Sequence, residues 1–303
     1  MNQMGRIVII IPYFGKFPEW FDLYLFSCSR QKNIDFWFFT DCDLPSVKYK
    51  NTYFEQISFS DYCKRVSESL SIDFHPRSAY KLCDVKPFYG IIHEDLIRKY
   101  EFWGFGDIDV VYGDLELVIN PENLRKYDVI TTHTNRIAGH LTIVRRESKH
   151  TKSCLQIKDW QTKLASNDHL SVDEDDWVLR IFPEVKWIRR LYRFVFKPLH
   201  VPMKFCYEGL INKIFCNRFT RRHFHEYGTT PIPQCDEIWS YDIEKGKVFT
   251  PSQRSIPYLH FLFFKKTPYR ETEFYWKNGF YKVPFPLPET GHIYFNCSCI
   301  SYK

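Results

Sequence analysis

Two aspartates that stand two positions apart are the first candidates for chemistry in this sequence. Asp107 and Asp109 flank Ile108 and follow the apolar, glycine-bearing run 102–106. On an extended segment, residues i and i+2 point to the same side, so both carboxylates can face one mouth. Carboxylates at this spacing can hold a hard divalent cation together with phosphate oxygens. A solvent-facing pair of acids after a strand is the plainer alternative, but the apolar flanks make unpaired charges costly there.

A histidine and two lysines farther along the chain have complementary chemistry. His260 lies in the apolar run 258–264, and Lys265 and Lys266 follow it. Neutral imidazole is a metal ligand, so His260 can complete a metal shell, and either lysine can neutralise a diphosphate. A histidine whose bonds are satisfied within the core is the alternative.

An acidic segment opens a helix that we predict over 174–182. Its four acids are Asp173, Glu174, Asp175 and Asp176. The helix dipole favours anions at this end, so a charged first turn with Asp173 as N-cap is the structural explanation. The functional explanation is that an acid of this segment acts as general base toward an acceptor hydroxyl. Arg180 lies on the adjacent helical face and can orient one carboxylate.

The elements around these residues predict an α/β fold. A strand over 6–11, a helix over 18–30 and a strand over 34–40 form a βαβ unit, so we expect a mainly parallel sheet. We also predict helices over 60–70, 79–100 and 149–165, strands over 102–106, 127–132, 140–145, 247–250 and 258–264, and an Asn-Gly hairpin within 276–281. Ligands of such sheets bind beyond the carboxyl ends of the strands. The loops after residues 11, 40 and 106 and the turn before residue 140 should therefore converge on one crevice.

Length and composition are those of a folded protein. The 303 residues are 44% hydrophobic and 26% charged, which excludes a disordered chain, a collagen and a coiled coil. No window approaches the roughly 20 apolar residues of a membrane span, and the start lacks the features of a signal peptide. Ten cysteines without a Cys-x-x-Cys pair indicate reduced thiols. We therefore expect a cytoplasmic protein with a single domain over 1–303.

Positive charge is concentrated in one stretch of the chain. Residues 186–222 contain ten lysines and arginines and a single acid, whereas the whole chain has a net charge of +6. Aromatic residues alternate with these bases, so we predict a basic, aromatic-rich helical subdomain over 185–225. Such a face suits an anionic membrane or a lipid-linked acceptor. A solvated helical face beside the core is the alternative, and nucleic acid is disfavoured because no nucleic-acid-binding motif accompanies the stretch.

Taken together, these features resemble a nucleotide-sugar glycosyltransferase of the GT-A type, over about residues 5–290. The strand and loop at 7–12 look like the first nucleotide-binding strand of that fold, and Asp107-Ile108-Asp109 matches its DxD motif. The runs 78–87 and 106–115 resemble a bacterial capsule and lipopolysaccharide (O-antigen) transferase family of the domain-of-unknown-function kind. Some members of that family are thought to handle galactose or galactofuranose.

The resemblance implies a role for each candidate residue. Asp109 and His260 would ligate Mn²⁺ or Mg²⁺, with Asp107 a further ligand or nearer the ribose or a metal-bound water. The nucleoside site would be lined by Pro12, Tyr13, Asp41 and either Lys81 or Asp84. Lys265 or Lys266 would contact the diphosphate. Asp175 would be the base, with Glu174 and Asp176 beside it in the acidic helix start that is typical of inverting members.

The implied reaction is the direct displacement of a nucleoside diphosphate, UDP favoured, by a hydroxyl of a growing surface polysaccharide or lipid-linked acceptor. We favour inversion because the acidic segment can supply a base; glycine and Pro-Trp of the best-known retaining families are missing around Lys265. A haloacid-dehalogenase-like phosphatase shares the strand-DxD pattern, but Val111 stands where threonine is expected. A nucleotidyltransferase needs a glycine-rich loop, and only Gly15 follows the first strand. A non-catalytic glycan-binding protein is the remaining alternative.

Overall fold

The computed structural model describes residues 6–133, 136–182, 184–199, 222–224, 237–261, 279–296 and 298–303. Several predictions fall elsewhere. The described residues do not include Lys265 and Lys266 or the end of the strand predicted over 258–264. They also leave out most of the predicted hairpin and most of the basic stretch beyond residue 199.

Fifteen strands are present in the described part of the chain. They are β1 (Ile7–Pro12), β2 (Ile34–Thr40), β3 (Thr52–Gln56), β4 (Phe102–Gly106), β5 (Val110–Tyr112), β6 (Val129–Thr131), β7 (Leu141–Arg145), β8 (Arg222–Phe224), β9 (Trp239–Asp242), β10 (Lys247–Phe249), β11 (Ser255–Ile256), β12 (Tyr258–His260), β13 (Tyr281–Lys282), β14 (His292–Phe295) and β15 (Ile300–Tyr302).

Helical segments are interspersed with the strands. The α-helices are α1 (Phe21–Ser29), α2 (Phe59–Leu70), α3 (Tyr89–Ile92), α4 (Glu94–Ile97), α5 (Pro121–Lys126), α6 (Trp160–Ala165), α7 (Val178–Ile181) and α8 (Glu184–Leu191). Segments with 3₁₀ geometry span Ala79–Phe88, Leu115–Leu117 and Lys149–Gln156. Turns with π geometry span Val172–Asp176 and Tyr192–Phe196.

A seven-stranded mixed sheet forms the centre of the fold, in the order β3-β2-β1-β4-β7-β6-β8. The four strands from β3 to β4 are mutually parallel, and β6 and β8 are parallel. Only β7 runs against its neighbours, β4 and β6. The predicted α/β fold is confirmed, and the mainly parallel sheet follows from the βαβ unit at its start.

The first strand shows why this sheet is covered on both sides. Alternate residues of a strand point to opposite faces. Val8 and Ile10 join the apolar cluster beneath α2, whereas Ile7, Ile9 and Ile11 join the cluster beneath α1. All five side chains are buried, which explains a continuous β-branched run in place of an alternating pattern.

A second, mainly antiparallel sheet packs against the other side of α1. Its six strands have the order β11-β10-β9-β14-β15-β13. Leu23 and Phe26 of α1 contact its apolar face, which includes Tyr241 and Ile293. Most of this sheet was not predicted, because its strands are two to four residues long and such short segments carry little periodicity.

Three predicted helices differ from the structure. The single helix predicted over 79–100 is wrong: a 3₁₀ segment containing Pro87 precedes two short helices, because proline lacks the amide that an α-helix requires. The helix predicted over 149–165 is interrupted at Asp159, whose φ is +55°. The acidic helix begins earlier than predicted, after Ser171, so Asp173 lies inside its first turn and is not the N-cap.

Candidate functional site

The pairing of β5 with β12 joins two distant candidates. These strands are antiparallel, with His260 opposite Val110, and the Phe261 amide donates a hydrogen bond to the Asp109 carbonyl at 3.0 Å. The Asp109 Oδ2 and His260 Nε2 atoms are 3.5 Å apart, and both residues are buried. Asp109 follows β4 at the carboxyl edge of the parallel strands, where the sequence predicted the crevice. The structure therefore brings a carboxylate and an imidazole together.

A second histidine supports His260 from behind. The His140 ring stacks on the His260 ring with 4.1 Å between centroids. The Nε2 atom of His140 is 2.7 Å from the Tyr258 hydroxyl, which in turn donates a hydrogen bond to Thr132. Burial, and next the charge of His260, lower the pKa of His140 well below its usual value. The ring behind His260 is therefore neutral, and its hydrogen bond fixes its orientation.

Asp107 has a different partner from Asp109. Its Oδ1 accepts a hydrogen bond from Lys86 Nζ at 2.6 Å, and the same ammonium donates to the Gly139 carbonyl at 3.0 Å. Burial acts to lower the pKa of Lys86, but the charge of Asp107 opposes it and the pKa is raised well above its usual value. The buried ammonium of Lys86 therefore lies next to the DxD motif. The sequence did not predict a role for Lys86.

Asp173, which the sequence predicted only as a helix N-cap, lies close to Lys86 instead. It is buried, and its Oδ1 has no hydrogen-bond partner among the residues that the structure describes. Burial raises the pKa of Asp173 to about 8, against the opposing charge of Lys86. The Asp173 Oδ2 lies 3.3 Å, and the Lys86 Nζ 3.5 Å, from the position that a Cβ on residue 139 would occupy, where the chain has glycine. The Asp173 carboxylate therefore lies near the Lys86 ammonium, which is bonded to Asp107. The sequence signal for Asp173 was its position in the acidic segment, directly before Glu174.

The predicted catalytic acids separate around this turn. Glu174 remains near Asp173 and Lys86, because its Oε1 lies 3.2 Å from the position that a Gly139 Cβ would occupy. Its Oε2 is 3.0 Å from Arg136 Nη1. Asp176 instead pairs with Lys163 at 2.5 Å. Asp175 is exposed. The predicted partner Arg180 is also exposed, and the structure pairs Glu174 with Arg136 instead.

Lys81 and Asp84 serve as an internal clamp. Both residues are buried, and Lys81 Nζ is 2.8 Å from Asp84 Oδ2. Lys81 Nζ also donates hydrogen bonds to the carbonyls of Lys163 and Asp168. The Asp84 carboxylate accepts hydrogen bonds from the amides of Leu170 and Val172, each at 2.9 Å. These bonds hold the chain that leads into the 172–176 turn. The two residues therefore position the acidic turn, and their hydrogen-bonding groups are engaged within the protein.

The clamp is next to a second group of metal-ligand atoms. Atoms of Asp84, His169 and Asp173 lie within 4.8 Å of one another, the one such trio among the residues that the structure describes. The carboxylate of Asp84 is already bonded to an ammonium and two amides. A cation there would have to compete with Lys81, so we consider Asp109 and His260 the better pair of ligands.

The predicted nucleoside side lies at the ends of β1 and β2. Pro12 and Tyr13 are half-buried, and the Tyr13 amide donates to the Phe39 carbonyl at 2.9 Å. Asp41 follows β2 and accepts a hydrogen bond from the Gly15 amide at 2.7 Å. Gly15 has a φ of +105°, a conformation that glycine adopts without strain. The three predicted residues thus border a loop at the same edge of the sheet as Asp107.

Fold and site together define an α/β protein with an acid–imidazole pair at the carboxyl edge of a mainly parallel sheet. The chain belongs to DUF6625, a family of unknown function, and the match covers residues 9–262. This range includes every candidate site residue except Lys265 and Lys266. No curated protein matches the sequence. The reaction must therefore be argued from the site itself.

The sequence predicts no membrane-spanning segment, and the helices that the structure describes can be compared with this prediction. Among them, none has both the length and the apolar character that crossing a membrane requires.

Asp173 gives a prediction about stability and pH. An unfolded chain releases this proton near the ordinary aspartate pKa of 3.8, whereas the folded chain holds it to about 8. The unfolded state therefore binds fewer protons across that window, and this group makes folding less favourable as pH rises. We expect Asp173→Asn to gain melting temperature relative to wild type between about pH 5 and about pH 8.

Differential scanning fluorimetry across this window measures the effect, and the exposed Asp175→Asn is the matched control. A melting-temperature difference between wild type and Asp173→Asn that stays constant with pH would contradict the buried, protonated state.

Proposed function

We propose that the protein is a metal-dependent glycosyltransferase. It would transfer a sugar of the galactose or galactofuranose type from a nucleoside-diphosphate donor, UDP favoured, to a hydroxyl of a surface polysaccharide or lipid-linked acceptor. The observation that carries the proposal is the 3.5 Å approach of Asp109 to His260 at the carboxyl edge of the sheet. The GT-A resemblance supplies the reaction class, and the proposed setting is the cytoplasm at the inner face of the cell membrane.

The donor set fits a divalent cation. Asp109 offers a carboxylate oxygen and His260 an imidazole nitrogen, and the nitrogen favours Mn²⁺ over Mg²⁺. Asp107 is near enough in sequence to contribute an oxygen or to face the ribose. When bound, the cation would offset charge on the departing nucleoside diphosphate.

Residues of this chain would hold the donor on either side of the proposed cation between Asp109 and His260. Pro12, Tyr13 and Asp41 border the proposed nucleoside side. On the other side, Lys86 provides a fixed positive charge next to Asp107, which can attract donor phosphate oxygens. Contact of Lys265 or Lys266 with the diphosphate stays a prediction.

The base that takes the acceptor proton would come from the 172–176 turn. Asp173 is favoured by its position beside Lys86 and by a pKa of about 8, since a general base works best when its pKa is near the working pH. Asp175, the choice from the sequence, stays as the alternative. A base on this turn supports direct displacement with inversion of the anomeric carbon.

Loss of Asp109 should remove metal-dependent nucleotide binding. We expect Asp109→Ala to bind UDP no better with Mn²⁺ than without it, because half of the proposed ligand pair is gone. Isothermal titration calorimetry measures this, and Asp95→Ala, an exposed acid on α4, is the control. Wild-type affinity of Asp109→Ala for UDP in Mn²⁺ would contradict the site.

The two candidate bases can be distinguished by turnover. A panel of nucleotide sugars, screened for thermal stabilisation with and without Mn²⁺, first identifies the donor; stabilisation reaches about 2.7 kcal/mol at a hundredfold the Kd. We expect Asp173→Asn to bind this donor normally but to release UDP about 10²- to 10⁴-fold more slowly, the usual effect of removing a base. Asp175→Asn should turn over normally.

The reverse pattern, with loss in Asp175→Asn alone, would assign the base to Asp175. If no nucleotide sugar stabilises the protein while sugar phosphates release inorganic phosphate, the glycosyltransferase proposal is wrong and a phosphatase is favoured.

A further inference from the structure

One helical surface presents large apolar side chains to solvent. Helix α8 continues into the π turn Tyr192–Phe196, and a further turn follows over 197–199. Trp187 is 72% exposed and Phe194 is 67% exposed, and Leu191 and Leu199 are exposed with them. Trp187, Leu191 and Phe194 have the spacing i, i+4 and i+7, which forms one stripe along the helix, and Leu199 follows in the turn after it. Several large apolar side chains exposed together on one helical segment are typical of an interaction surface.

The opposite side of the same segment is anchored to the protein. Tyr192 and Phe196 pack against the large apolar cluster that includes Ile181 and Phe182. Because these two aromatic side chains fix the rotation of the segment, the stripe cannot turn inward without breaking that packing.

Four exposed cations accompany the stripe among the side chains that the structure describes in this segment. They are Lys186, Arg190, Arg193 and Lys197. Lys186 and Arg190 are four positions apart in α8, and Arg193 and Lys197 continue the row of cations along the chain, within and just after the π turn. We call the apolar stripe and its row of cations the 186–199 face.

We propose that the 186–199 face docks on an anionic lipid surface. The apolar side chains would enter the boundary between headgroups and acyl chains, and the cations would meet lipid phosphates at the same depth. This inference concerns membrane contact alone and does not rest on the proposed glycosyl transfer.

The composition of the face favours lipid over other occupants. Nucleic acid would engage the four cations, but Leu191 and Leu199 have no role in a phosphate-backbone contact. A second copy of the chain would bring four like charges against four, which opposes self-association through this face. A lipid surface uses both the apolar stripe and the cation row.

Co-sedimentation with vesicles tests the proposal. The full chain is mixed at low salt with vesicles of phosphatidylcholine alone, or with equal parts of phosphatidylcholine and phosphatidylglycerol. We expect it to sediment with the anionic vesicles and to remain in solution with the neutral ones. Arg190→Gln/Arg193→Gln and Trp187→Ala/Phe194→Ala should each weaken binding roughly tenfold or more, with unchanged melting temperature.

Matched controls come from exposed residues elsewhere. Lys64→Gln/Arg98→Gln removes two exposed cations, and Leu155→Ala/Phe285→Ala removes two exposed apolar side chains. Both should bind like wild type. Failure to bind anionic vesicles, or equal binding by all variants, would overturn the proposal. So would nucleic-acid binding or dimer formation that is lost in the face variants while vesicle binding is unchanged.

Discussion

The short antiparallel pair of β5 and β12 is the contact on which the candidate site depends. It joins residues 109 and 260, which are about 150 positions apart in the chain, through three residue pairs. Its register is fixed from both faces. Leu259 packs with Val111 in the cluster under the second sheet, whereas Tyr258 lies in the cluster under α1. A slip of one residue would exchange these faces and would carry the His260 imidazole away from Asp109.

A single buried ammonium connects the DxD motif with the acidic turn. Lys86 is bonded to Asp107 and to the Gly139 carbonyl, and Asp173 and Glu174 approach the position where Gly139 has no side chain. Burial raises the pKa of Asp173 to about 8, although the charge of Lys86 opposes this rise. The same arrangement provides an acid of raised pKa next to the proposed donor position.

Part of this site was predictable from the sequence. The apolar strands on either side of α1 predicted the parallel sheet, and the rule that ligands bind beyond strand ends placed Asp107 and Asp109 correctly at its edge. The partnership of Asp109 with His260 was expected from residue type and from the GT-A resemblance, not from a predicted strand pairing. The three-residue strand that produces it has too few residues for a recognisable pattern.

Other features depend on geometry that residue patterns do not contain. The acidic turn has π geometry, with the Trp177 amide bonded to the Val172 carbonyl, so its acids do not face the directions that an α-helix would give them. Within this turn Asp173 is buried and Asp175 is exposed. Lys81 and Asp84 looked like ligand-binding residues, but the backbone groups of residues 163–172 occupy them. Tertiary contacts alone decide that difference.

Anomalous diffraction from crystals grown with Mn²⁺ and UDP would test the central claim most directly. The account predicts a manganese peak at coordination distance, about 2.0–2.4 Å, from both Asp109 and His260, with UDP density extending toward Tyr13. A peak among Asp84, His169 and Asp173, or bound UDP with no manganese near residue 109, would contradict it.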